Sequence, residues 1–204
     1  MSRLLARART RDALLVILFA GTVLSGRALY LRGKATLAAI LIRKAWDETL
    51  KVDRPTPPWP WADTHPVARL TIPSLGYDEL VLEGASGRNM AFGPTRLMNA
   101  AAPHEPGNVV LAGHRTSWFR PLEHVKDGDV LVLSIRDPSA RGRPAGETPR
   151  RYRVVTRAVV EPHDTSYLQP TADDRLTLVT CWPFGYGPTS PQRYVIQATA
   201  AGLP

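Results

Sequence analysis

The chain has 204 residues, enough for one domain with a genuine core plus a further segment, and it carries 19 prolines and a net charge of +8. That charge is confined to one end: residues 1–54 hold 11 Lys/Arg against 4 Asp/Glu, whereas residues 55–204 hold 15 against 14. A near-neutral remainder has no electrostatic footprint for a phosphate backbone, which excludes nucleic acid as a partner.

In chain order, Arg3, Arg7, Arg9 and Arg11 precede an apolar run, Ala13 to Ser25. The run is short for a spanning helix, which needs about 20 residues, but it reaches that length if it extends through a snorkelling Arg27 to Leu31. Residues 1–31 are therefore read as a cytoplasmic tail and transmembrane anchor, with everything beyond exported. A cleaved signal peptide is the competing reading, although Val23 and Ser25 make a mediocre cleavage site. Both readings export the domain. Leu37, Ile40, Leu41, Ala45 and Trp46 continue at helical spacing among Arg32, Lys34, Arg43 and Lys44, which predicts an amphipathic prolongation along or away from the membrane surface.

Arg54-Pro-Thr-Pro-Pro-Trp-Pro60 cannot continue a helix and favours a stiff, extended spacer. Residues 32–60 are thus expected to form an amphipathic helix and proline-rich linker, leaving residues 61–204 as the second domain. From Val67 the pattern changes to short β-type runs between turn signals. Strands are predicted at Val67–Ile72, Glu79–Leu82, Asn108–Gly113, Asp129–Ile135, Tyr152–Val160, Leu176–Cys181 and Tyr194–Thr199. Ser117–His124 can supply a helical turn or two, and the polar segment Arg136–Arg151 reads as an exposed loop. Strands without crossover helices predict an all-β domain, an antiparallel or mixed barrel.

Three segments in this domain carry chemistry. The apolar Asn108-Val-Val-Leu-Ala-Gly113 runs straight into His114, and Leu176-Thr-Leu-Val-Thr ends in Cys181, the only cysteine. Pro183, Gly185, Gly187 and Pro188 then force a loop, after which Arg193 opens the last strand. In an exported protein a lone thiol points to reactivity. Acyl transfer uses these residue types: a thiolate to attack a carbonyl, an imidazole to carry the leaving group's proton, and a fixed cation to hold the oxyanion. Singly, each residue also has a structural reading: Cys181 as a core residue, His114 as a hydrogen-bonding loop residue, Arg193 as an ion-pair arginine. Trp118, Trp182, Phe184 and Tyr186 flank the segments as groove walls or as packing. His65, His104, His124 and His163 are scattered and give no metal-ligand spacing.

Thr177-Leu-Val-Thr-Cys181 resembles the TLxTC signature of the sortase family. Gly113-His114-Arg115 resembles its histidine segment, and Arg193 resembles its essential arginine. Trp59-Pro-Trp61-Ala-Asp63, together with Gly84-Ala-Ser-Gly87 and Phe92-Gly-Pro94, resembles the members from Gram-negative proteobacteria, often called class GN. The resemblance implies an eight-stranded sortase-type β-barrel behind an N-terminal membrane helix at the inner membrane, facing the periplasm. It implies that Cys181 forms a thioester with an LPxTG-like C-terminal sorting signal of a partner protein, which an amine acceptor then resolves. His114 would be the general acid and base, Arg193 would position the peptide and the oxyanion, and Thr180 would shape the substrate pocket. A cysteine peptidase or an L,D-transpeptidase-like wall enzyme using the same Cys–His pair, and an inactive membrane-tethered adaptor that only binds a peptide, are the alternative readings of the same residues. Nothing resembles the acidic calcium cluster of some members, so no metal is expected, nor any cofactor, and the short Glu161–Arg175 segment implies a small lid.

Overall fold

The computed structural model describes residues 2–52, 54–136, 146–185, 187 and 190–201, with side chains described from residue 18 onward. A single helix, α1, runs Ser2–Val52. It contains no proline, is rich in Leu, Ala and Arg, and stops just before Pro55 and the prolines that follow. The chain separates into two compact units, one ending at Ile40 and the other starting at Leu41. Residues 13–17 of the apolar run lie outside the residues whose side chains are described. Among the described residues no helix is long and apolar enough to cross a membrane.

The second unit does not begin where the prolines suggested. Ile42, Ala45, Trp46 and Thr49 on the last turns of α1 are buried. The Trp46 Nε1 donates to Glu147 Oε1 at 2.6 Å, and Glu147 also holds Arg69 Nε at 3.1 Å. Nor is the proline stretch a free spacer. The Thr56 amide donates to Thr49 Oγ1 at 3.1 Å, Pro58 is buried, and the Trp59 ring meets Phe92 edge-on at 5.4 Å. An amphipathic stripe says that a face needs covering but not whether lipid or protein covers it. Here, from Leu41 on, protein does.

The rest is a closed eight-stranded barrel: β1 (Pro66–Ile72), β2 (Tyr77–Glu83), β3 (Thr95–Arg96), β4 (Asn108–Ala112), β5 (Val130–Arg136), β6 (Glu147–Val160), β7 (Arg175–Trp182) and β8 (Gln192–Ala200). Around the barrel the order is β1-β2-β3-β4-β7-β8-β6-β5, and β5 closes back onto β1. The β2–β3 and β4–β7 pairs are parallel and the others antiparallel, so the barrel is mixed. Closure removes every sheet edge. Alternate residues fill the interior, among them Leu70, Leu111, Leu133, Leu176 and Ile196, each fully buried. Phe119, Leu122 and Val125, around a 3-10 turn at Arg120–His124, join that core.

All seven predicted strands are present, each within a few residues of its expected limits apart from the start of β6. β3 was not expected, because two residues show no periodicity; it exists only through its pairing with β2 and β4. The expected loop Arg136–Arg151 is corrected at both ends. Arg136 ends β5, and β6 already begins at Glu147, pairing Glu147 to Arg151 with Arg136 to Val132. These polar residues have no apolar alternation, so only the ladder identifies them as strand. Residues 137–145 lie outside the described residues.

Candidate active site

Strand parity decides which side chains share a surface. In β7, Leu176 and Leu178 point into the core, so Thr180 points inward while Val179 and Cys181 point outward. In β8, Tyr194, Ile196 and Ala198 point in, so Arg193, Val195 and Gln197 point out. In β4, Val109 and Leu111 point in, and the same alternation carried past the strand end turns His114 outward, where it is exposed.

Register then brings the three together. Cys181 pairs directly with Arg193 across β7 and β8. The parallel β4–β7 ladder pairs Ala112 with Val179, and one more backbone bond, Gly113 N–H to Val179 O at 3.2 Å, extends it. Continuing that register sets His114 level with Cys181. Adjacent strands lie about 4.8 Å apart, so the outer faces of β4, β7 and β8 carry His, Cys and Arg side by side, with Cys181 in the middle.

Local structure holds each one. Gly113 is required by close approach: a Cβ there would lie 2.8 Å from the Phe119 ring. The His114 carbonyl accepts the amides of Ser117 at 3.2 Å and Phe119 at 3.0 Å, so the chain turns immediately after the histidine. The Arg193 Nη1 donates to the carbonyls of Gln192 at 3.1 Å and Ser190 at 3.4 Å, which fixes the guanidinium beside its own strand end. Cys181 is half-buried and not in a disulfide.

Thr180 is buried, and its hydroxyl donates to Gly113 O at 2.7 Å. It acts on the site from beneath, tying the cysteine strand to the histidine strand. Trp118, Trp182 and Phe184 pack against the core, and Trp182 stacks on Tyr194 with centroids 5.6 Å apart. These three aromatics are packing; Tyr186 and Pro188 lie outside the described residues.

Two residues went unassigned in the sequence. Arg115 is buried, and its guanidinium donates to Pro183 O at 3.0 Å and to Gly187 O, holding the loop after Cys181 to the loop after His114. The buried Asn108 donates to Tyr167 O at 2.9 Å and Gln169 O at 3.1 Å, and accepts from Thr177 Oγ1 at 2.7 Å. Both are polar residues flanking an apolar strand, a pattern shared with any surface turn. Burial raises the Tyr167 phenol above its ordinary range, and the neighbouring Arg193 charge offsets part of that rise.

Comparison with known proteins gives concordant results. A family profile described as a sortase domain matches residues 70–201. Sortase D of Bacillus subtilis (strain 168) is 30% identical over 128 residues, covering 62% of this chain and 60% of that protein. Sortase A of Listeria monocytogenes is 28% identical over 119 residues, 56% of this chain and 49% of that protein. The chain therefore spans about half to three-fifths of the length of these relatives. Among solved structures, a sortase D5 transpeptidase of Clostridium perfringens superposes with a TM-score of 0.62 at 19% identity, over 82% of this chain and 99% of that one. That likeness concerns the fold.

Proposed function

The chain belongs to the sortase family, since the family profile covers more than half of it, and from that premise we propose that it is a cysteine transpeptidase acting on an LPxTG-like sorting signal. The observation that carries the reading is the cross-strand pair Cys181–Arg193 with His114 in register beside it, all on one outward face. Cys181, as thiolate, attacks the carbonyl carbon of a threonine–glycine-type bond. The oxyanion that forms is held by the Arg193 guanidinium. His114, as imidazolium, donates a proton to the departing amine as the C–N bond breaks, leaving a thioester on Cys181. An acceptor amine then attacks the thioester carbonyl. His114 takes the amine's proton, the C–S bond breaks, and the thiolate is regenerated as the new amide forms.

Arg3, Arg7, Arg9 and Arg11 ahead of the apolar run, and exposed Leu18, Phe19, Val23, Leu24 and Leu29 along α1, support an inner-membrane anchor with the barrel outside the cytoplasm. The Trp59–Asp63 and Gly84–Gly87 motifs support placement with the Gram-negative subset, class GN. A partner protein bearing the sorting signal would be the first substrate and an amine acceptor the second.

Intact-mass spectrometry of the protein with LPxTG-type peptides tests this reading. An acyl adduct on Cys181, converted to ligated product by an added amine, is the expected result. Cys181→Ala should give no adduct while keeping the fold. Hydrolysis without ligation would instead mark a peptidase, and a variant that still transferred acyl groups would refute the mechanism.

A further inference from the structure

β6 and β7 are both antiparallel to β8, which lies between them, so they are parallel to each other and their connection must cross β8. Residues 161–174 make that crossing over the outer face, and a cavity of about 250 Å³ lies beneath it. Its floor is apolar where it is built from Ala158, Val160 and Val195, and Ser166 and Tyr167 of the crossover line it from above. The Asn108 side chain pins that roof through the carbonyls of Tyr167 and Gln169, so the cavity is formed before any ligand arrives.

The cavity has a direction. Val160 pairs with Arg193, so one end adjoins the candidate active site. From there it follows β8 away from Cys181, past Gln197, to Arg175 at the start of β7. The Arg175 Nη2 donates to Asp173 at 2.9 Å. Its Nε is buried and has no hydrogen-bond partner among the described residues. A buried donor left unpaired costs about 1–3 kcal/mol, which an acceptor delivered by a ligand would recover.

Arg175 lies six residues from Cys181 along one strand, roughly 20 Å at about 3.3 Å per residue. An extended peptide with its scissile carbonyl at Cys181 reaches that point with the fifth to seventh residue before the cleaved bond. This is upstream of the four residues that precede the bond in an LPxTG-like signal. We propose that this end of the cavity is a subsite for the flank upstream of the sorting signal, and that Arg175 selects there a residue with a side-chain amide. The amide carbonyl accepts from Nε, while its NH₂ faces the acceptors of Gln197 and Thr156, which line the same cavity. A carboxylate fits less well, because Asp173 already neutralises Arg175 and would stand beside it.

The inference rests on the transpeptidase reading, and the test separates the two. Peptides carrying the scissile motif and Gln, Glu or Leu at the fifth, sixth or seventh upstream position are compared on the wild-type protein and on Arg175→Met, which keeps the stem without the donors. At one of these positions Gln is expected to lower KM about fivefold to tenfold relative to Leu, with kcat unchanged, and the difference should vanish in Arg175→Met. Equal KM for Gln and Leu at all three positions, a Glu peptide better than the Gln peptide, or a preference that survives Arg175→Met would overturn the inference and leave the transpeptidase reading standing. Failure of every peptide to acylate Cys181 would overturn both.

Discussion

Thr180 stands one position before the only cysteine, yet its side chain faces the core and its hydroxyl is committed to Gly113 O. That bond links the strand carrying Cys181 to the segment carrying His114. Thr180→Val keeps the shape and removes the donor, leaving a buried carbonyl unpaired at a cost of about 1–3 kcal/mol. If the tie sets the spacing of Cys181 and His114, kcat for acyl transfer should fall while KM changes little. A melting shift with kcat unchanged would show that the bond serves stability alone. Arg115 presents the same lesson. The sequence places it beside His114, but only burial and its bonds to Pro183 O and Gly187 O show that it joins the two loops of the site.

At the scale of elements, the last turns of α1 are the clearest departure from a linear reading. Trp46 is 1% exposed and bonds Glu147, which in turn holds Arg69. Trp46→Ala removes a large buried ring and leaves Glu147 without one of its donors, so it should destabilise the barrel unit by about 3–5 kcal/mol. Denaturant titration of the folded protein measures this, and a change below about 1 kcal/mol would mean that α1 only rests on the barrel. The mirror case is β6, whose first residues look like loop because nothing in Glu147-Thr-Pro-Arg-Arg151 alternates. Their strand character comes from the partner strand β5.

At the scale of the whole molecule, the division at Leu41 predicts how the protein can be cut. The full chain should fractionate with membranes. A chain starting at Leu41 should be soluble and retain the barrel's melting transition. One starting at Trp61 should melt lower, having lost Ile42, Ala45 and Trp46. A full chain found wholly in the soluble fraction would sink the anchor, and equal melting of the two truncated forms would sink the docking of the helix end.

Alternation and turn residues were enough to mark seven of the eight strands, because a filled barrel interior imposes a two-residue period wherever a strand's residues alternate between core and surface. The chemical types at the candidate site were also legible, since Cys181, His114 and Arg193 each stand at the end of an apolar strand. Sequence spacing could not order those strands. His114 and Cys181 are 67 residues apart, and what sets them level is the parallel ladder between β4 and β7. Nor could the sequence show the cavity, which exists because β6 and β7 flank β8 and their connection has to pass over it. Residue type and local period are properties of the chain alone; adjacency, burial and the pairing of polar groups arise only when distant segments share one closed sheet.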